Sequence, residues 1–84
     1  MIARVVVTPK PLVNDPQGIT VKAGLASLGF REVSDVRIGK YIELQIEDDD
    51  RATLDARLRK MCEGLLANTV IEQFRWELVG AKAR

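Results

Sequence analysis

The residues that could carry out chemistry are few in this chain of 84 residues. Histidine is absent, so the commonest general base and every Ser-His or Cys-His nucleophile pair are missing. Cys62 is the only cysteine, which excludes an intramolecular disulfide and leaves no His/Cys set for zinc. Any catalysis would have to use carboxylates, lysines or Tyr41. We therefore predict no catalytic residue, no metal site and no cofactor site in this chain.

Two motifs contain carboxylates that need an explanation. The acidic run Asp48–Asp50 precedes a helical pattern, where negative charge complements the helix N-terminus, and a calcium loop would need alternating ligands and a later bidentate glutamate. Asp15 and Pro16 are typical of a helix start, and the motif around them is too short for a phosphate-binding loop. We predict a helix cap at both places.

The elements that would position these residues follow from the apolar pattern. A β-branched run predicts a first strand over 2–8, closed by prolines at 9 and 11. The first helix is predicted over about 16–28, with Gly29 as its left-handed C-cap. The first helix shows its apolar spacing at Val21, Leu25 and Leu28.

The second half of the chain predicts a helix over about 51–66 and a last strand over about 70–79. Cys62 belongs to the apolar stripe of this helix, so we interpret it as a small buried side chain and not as a reactive thiol. The stripe consists of Leu54, Leu58, Met61, Cys62, Leu65 and Leu66. On the last strand, Val70, Phe74, Trp76 and Leu78 form the apolar set.

The segment between the helices leaves two alternatives open. From Val36 to Ile46 the apolar residues keep even parity, and only Lys40 breaks the pattern. This parity argues against a two-residue hairpin. It allows a three-residue loop over 39–41, or one continuous strand bent at Gly39 that would span about 36 Å and extend beyond the core of so small a domain.

The predicted order of elements gives an α+β class, with an antiparallel sheet covered on one face by two helices. A doubled middle strand would make the β-α-β-β-α-β ferredoxin-like unit, and a continuous one would require two chains to share sheets. We expect one domain over 1–84, with 80–84 as a polar tail.

Composition limits the partners. A formal charge of +1 and only four aromatic residues argue against nucleic-acid binding, and no run is apolar or long enough to span a membrane or to form a signal peptide. We therefore expect a soluble, cytoplasmic protein. A core this small, without disulfide or metal, predicts self-association.

A stretch rich in polar residues around the middle strand supplies the candidate interface. It is explained either by ion pairs on a solvated face or by docking of a partner at a bend that needs glycine. The competing function is a small-molecule-sensing regulatory dimer, such as an amino-acid-binding module. The candidate interface residues are Asp35, Arg37, Gly39, Lys40, Tyr41 and Asn68.

Several motifs together resemble the PurS family, the small subunit of bacterial and archaeal phosphoribosylformylglycinamidine synthase. They occur in family order and cover nearly the whole chain. Pro9 and Thr69 depart from the usual family pattern, both in predicted turns. The motifs are DPQG at 15–18, SLGF at 27–30, VSDVRIGK at 33–40 and LLAN at 65–68, followed by VIE at 70–72.

The resemblance implies a non-catalytic role in de novo purine synthesis. In that reaction formylglycinamide ribonucleotide, ATP and glutamine give the formylglycinamidine ribonucleotide. The expected partners are a second copy of this chain, a large synthetase subunit and a glutaminase subunit. ATP and magnesium would bind to the large subunit, and this chain would bridge the other two as a dimer or a tetramer and support ammonia transfer.

Overall fold

The computed structural model describes residues 1–47 and 50–80 and confirms the α+β class. A three-stranded antiparallel sheet has the order β2-β1-β3, so the first strand of the chain lies in the centre. Along the chain the elements are β1 (Ile2–Pro9), α1 (Pro16–Ser27), β2 (Lys40–Gln45), α2 (Arg51–Met61), a π-helical turn (Cys62–Leu66) and β3 (Glu72–Val79).

The register of the sheet separates an apolar face from a polar face. Val5 lies between Ile42 and Trp76, and these side chains belong to the apolar face. On the opposite face Arg4 lies between Glu43 and Glu77. Period-two alternation in all three strands therefore directs one apolar surface towards α2.

The core is a single layer between that face and α2. Val5 and Val7 are fully buried, as are Leu54, Leu58 and Cys62 from the helical side. The interpretation of Cys62 as a buried apolar side chain is confirmed. Its burial raises the pKa of the thiol, which therefore stays protonated at neutral pH.

The middle strand is shorter than either sequence alternative. Residues 33–39 form no strand, and β2 is a single strand that begins at Lys40. The backbone N–H of Ile38 donates to the Asp15 carboxylate at 2.7 Å, so it is used in a tie to the start of α1 and not in a strand ladder. The hairpin around Gly39 was therefore wrong, because Lys40 and Tyr41 belong to β2. The continuous strand from Val36, which would require a second chain, is not formed within one chain.

The second helix reaches residue 66 as predicted, but its last turn is π-helical. The N–H of Ala67 donates to the carbonyl of Cys62 at 2.9 Å, five residues back. The wider turn leaves Leu66 half-buried and turns Leu65 outward, where it is 84% exposed. Placing Leu65 in the buried stripe was therefore wrong, because that prediction assumed regular α-helical spacing.

The last strand begins two residues later than predicted, at Glu72. Residues 68–71 form a turn in which Ile71 and Glu72 both donate their N–H to the carbonyl of Asn68, at 3.1 and 2.7 Å. Val70 is consequently 79% exposed and does not join the apolar set of β3.

The first helix contributes little to the core of the single chain. Gly18 is its only buried residue, while Val21 and Leu28, which the periodicity predicted to face the core, are exposed. The molecule measures 48 × 31 × 15 Å, and its radius of gyration of 16.2 Å exceeds the about 12 Å of a compact domain of this length. Within one chain, therefore, α2 packs on the sheet and α1 extends away from it.

Both helix caps are present as the sequence predicts. Asp50 accepts from the N–H of Ala52 at 3.2 Å and from the Thr53 hydroxyl at 2.7 Å, and Gly29 follows α1 with a φ of 101°. Asp48 and Asp49 lie outside the described residues. Asp15 caps α1 through the N–H of Gly18 at 3.0 Å, and its second oxygen holds Ile38.

We expect Asp15→Asn to lower the melting temperature by several degrees, because an amide accepts hydrogen bonds at one terminal atom where the carboxylate accepts at two. The hydrogen bond from Ile38, then that from Gly18, hold the pKa of Asp15 below 3.8. The carboxylate's contribution is therefore complete above about pH 4 and is lost as the pH falls through the lower folded-state pKa.

Thermal unfolding followed by circular dichroism from pH 2 to 7 checks this prediction. The gap between wild type and Asp15→Asn should narrow as the pH falls. Asp35→Asn is the matched control, since Asp35 is exposed, and it should melt like wild type. A gap that stays constant down to pH 2 would contradict the assignment.

Candidate interaction surface

Among the candidate interface residues, Arg37 makes two hydrogen bonds to the backbone of the preceding loop. Its guanidinium donates to the carbonyls of Lys10 and Val13, both at 2.8 Å, and so holds the loop between β1 and α1. Its positive charge also helps to lower the pKa of Asp15. Arg37 therefore positions the segment that leads into α1.

Gly39 lies immediately before β2, where its backbone approaches β1 closely. A Cβ atom at this position would clash with the carbonyl oxygen of Val7 and lie 3.0 Å from the Thr8 methyl carbon. Among the described residues only Gly29 has a positive φ, so the backbone angle at Gly39 does not require glycine. Glycine is required there because a side chain would not fit. The sequence predicted that a bend at residue 39 needs glycine; in the structure glycine is needed there because the backbone approaches β1 closely, and not because of an unusual backbone angle.

Lys40 and Asn68 are joined through one carboxylate. Glu72 accepts from the backbone N–H of Asn68 at 2.7 Å, and its other oxygen lies 3.9 Å from the Lys40 ammonium. The side chain of Asn68 accepts from the N–H of Val70 at 3.2 Å. Glu72 thus links the two outer strands across the end of β1, a contact that no motif of the sequence indicated.

Tyr41 and Asp35 lie apart from this group. The Tyr41 side chain is on the polar face of the sheet, next to Val6, and its hydroxyl donates to Glu43 at 2.8 Å. That hydrogen bond raises the pKa of the phenol. Asp35 is exposed in the segment before β2. The structure therefore brings together Arg37, Gly39, Lys40 and Asn68 at one end of the sheet and leaves Tyr41 and Asp35 outside it.

The contacts at this end of the sheet are structural in character. They consist of backbone hydrogen bonds, one long ion pair and a close strand approach, and no nucleophile stands beside a base. Within residues 1–47 and 50–80, no group of three or more acidic or cysteine residues is placed to hold a metal ion. The helices of the described residues are all too short or too polar to cross a membrane.

Sequence reasoning missed the apolar surface of α1 and its flanking turns. Leu28 is 74% exposed, and large apolar side chains before, within and after the helix are also exposed. The sequence did contain an indication of this surface. Apolar residues lie on more than one side of α1, and such a helix is usually covered by protein on more than one side. We name this region the α1 surface; it consists of Leu12, Ile19, Val21, Leu28 and Phe30.

We expect Gly39→Ala to destabilise the fold by about 1–3 kcal/mol, because the added methyl group forces β2 away from the Val7 carbonyl. Gly24→Ala is the matched control. It lies in α1 with open space around it, so alanine there should be neutral or stabilising by about 0.5–1 kcal/mol. Urea unfolding measures both, and equal effects of the two substitutions would refute the close approach.

Comparison with known proteins gives the same family along the whole described fold. The model of the family PurS, described as phosphoribosylformylglycinamidine (FGAM) synthase, matches residues 2–80. The subunit PurS of phosphoribosylformylglycinamidine synthase from Bacillus subtilis is 55% identical over 75 residues, which cover 89% of this chain and 88% of that protein.

Solved structures agree with the sequence comparison. A crystal form of Bacillus subtilis PurS, 54% identical, superposes with a TM-score of 0.82 over 90% of this chain and 94% of that one. A chain of PurLQS from Thermotoga maritima, 28% identical, gives a TM-score of 0.78 over 92% and 96%. This chain therefore belongs to the PurS family of phosphoribosylformylglycinamidine synthase subunits.

Proposed function

We propose that this chain is the small, non-catalytic subunit of phosphoribosylformylglycinamidine synthase in purine biosynthesis. It joins the synthetase and glutaminase subunits and supports ammonia transfer between them. The observation that carries this proposal is the family match over 2–80, together with the close fold of a chain from the PurLQS assembly of Thermotoga maritima. We place the assembly in the cytoplasm.

The chemistry of the described residues is consistent with a non-catalytic role. The only thiol is buried and has a raised pKa, so it is a poor nucleophile. The carboxylates whose pKa values are lowered, Asp15 and Asp50, both cap helices. We propose that the ATP, magnesium, ribonucleotide and glutamine sites of the ligase reaction lie in the two larger subunits.

Self-association is the second part of the proposal. The α1 surface exposes several large apolar side chains, and a sheet covered by one helix leaves Ile42 and Leu44 of β2 only partly buried. Exposed apolar surface of this kind is typical of a protein interface. We propose that a second copy of this chain covers the α1 surface and gives a homodimer, which presents two equivalent sets of contacts to the larger subunits.

Reconstitution tests the bridging role. The two larger subunits of the same organism, purified and mixed with ATP, magnesium and formylglycinamide ribonucleotide, should show glutamine-dependent amidination only when this chain is added. Activity with free ammonia should depend on it far less, because ammonia then needs no transfer. The chain alone should hydrolyse neither glutamine nor ATP. Full glutamine-dependent activity without the chain would contradict the bridging role.

The homodimer is tested at the α1 surface. We expect Ile19→Glu combined with Leu28→Glu to weaken self-association by tenfold or more, because charges would be buried against apolar side chains. Thr20→Glu is the matched control, an exposed polar residue of the same helix, and should associate like wild type. Sedimentation velocity over a dilution series measures both. An unchanged association of the double variant would remove α1 from the interface.

A further inference from the structure

We propose that the outer edge of β3 is a self-complementary pairing surface, on which the β3 strand of a second copy adds in antiparallel orientation around Trp76. The result is a continuous sheet through two chains. This inference names a second contact surface for the self-association proposed above and in that sense rests on it. It concerns a different part of the molecule from the α1 surface.

The first observation is that β3 is a long edge strand without the usual protection. It spans eight residues, Glu72–Val79, and pairs only with β1, since the sheet order is β2-β1-β3. Edge strands that must stay unpaired are commonly short, or carry proline, lysine or a bulge. The other edge strand, β2, is shorter and begins with Lys40. The sequence of β3 contains neither lysine nor proline.

The second observation shows which backbone groups face outward. The Arg51 guanidinium, at the start of α2, donates to the carbonyl of Leu78 at 3.3 Å. The N–H of Lys10 donates to the carbonyl of Ile71 at 2.9 Å, so the odd-numbered residues of β3 bond to β1 and the Leu78 carbonyl points away from it. Because alternate residues of a strand direct their N–H and C=O to the same side, Phe74, Trp76 and Leu78 direct their backbone groups to the edge. The Leu78 carbonyl, which accepts from Arg51 in the single chain, would exchange that hydrogen bond for one from the partner's Phe74 N–H.

The third observation is space. A groove of about 570 Å³ lies beside α2 at the first part of this edge. Arg59 and Glu63 line its helix side, and residues 72–76, which include the aromatic rings of Phe74 and Trp76 among polar side chains, line its sheet side. An added strand lies about 4.8 Å from its neighbour. Its apolar side chains would enter this groove and continue the apolar face of the sheet.

The charges of Arg75 and Glu77 favour a second copy of β3 as the added strand and determine which residues lie opposite each other. With Trp76 opposite the partner's Trp76, Arg75 lies opposite the partner's Glu77 and Glu77 opposite the partner's Arg75. Phe74 then lies opposite the partner's Leu78, so the apolar face stays continuous. Sliding the partner strand by two residues in either direction places Arg75 opposite the partner's Arg75 or Glu77 opposite the partner's Glu77. Like charges directly opposite each other are destabilising.

The ionic contacts of the single chain agree with this register. Arg75 has no ion-pair partner among the residues that the structure describes, whereas Glu77 lies 3.8 Å from Arg4 on the neighbouring strand. In the paired sheet, the partner's Arg75 would join Glu77 and Arg4 in one row. Pairing around Trp76 brings the two copies of Arg59 towards each other, since Arg59 lies over the Trp76 ring at 5.2 Å. Glu63 of the same chain lies within 4.0 Å of Arg59 and balances its positive charge.

The test uses charge reversal in the full chain. Arg75→Glu places two carboxylates opposite each other at both ends of the pairing, and Glu77→Arg places two guanidinium groups there. Each variant alone should weaken the β3 contact by about tenfold or more and should lower the weight-average mass of the assembly clearly below that of wild type at concentrations near the wild-type dissociation constant. The mass is measured by sedimentation equilibrium.

Two combinations make the result specific. An equimolar mixture of the Arg75→Glu and Glu77→Arg chains restores both opposite-charge pairs, and so does the double variant; both should recover the wild-type mass. Gln73→Glu is the matched control. It adds a charge to the same face of β3 but lies opposite the partner's Val79, so its mass should not change. Circular dichroism of each variant verifies folding.

A second readout follows from the single tryptophan of the chain. Trp76 emission should change on dilution of wild type and not on dilution of the single variants. Single variants that keep the wild-type mass, or a mixture that does not regain it, overturn the β3 pairing while self-association through α1 stands. A wild type that is monomeric throughout the dilution series overturns both.

Discussion

The carboxylate of Asp15 ties together three parts of the chain that would otherwise be independent. One oxygen accepts from Gly18 and starts α1, and the other accepts from Ile38, immediately before the chain enters β2. Arg37, next to Ile38, holds the loop after β1. Because this carboxylate is buried, its hydrogen bonds replace water and fix the direction in which α1 leaves the sheet.

This tie explains why α1 is placed apart from the core. The helix is anchored at its first turn, where Gly18 is buried, and the remainder gains little from packing within one chain. Its orientation is therefore set by polar contacts, and its apolar side chains remain exposed in the single chain. The arrangement suits a subunit whose work is contact with other proteins, since rigid anchoring lowers the entropy that is lost on binding.

Local patterns predicted most of the fold, because they depend on neighbours in sequence. Pro16 after Asp15 marked the start of α1, Gly29 marked its end, and the alternation of Phe74, Trp76 and Leu78 marked β3. The errors came from long-range contacts. Ile38 could join a strand or a cap, and only the position of Asp15 decides between them. The link through Glu72 is equally invisible in sequence, since its partners are four and thirty-two residues away.

The position of β1 in the sheet has a consequence for the way the protein is made. Of the three strands of the sheet, the central one is synthesised before the other two, and its residues pair with β2 and then with β3, so that Ile2 finally lies opposite Val79. One side of β1 stays unpaired until β2 (Lys40–Gln45) has been synthesised, and the other side until β3 (Glu72–Val79) has been synthesised. Pairings so distant in sequence close slowly. Before β2 pairs with it, the run Val5–Val7 is an unpaired apolar strand, and such a segment is the kind that nascent-chain chaperones shield.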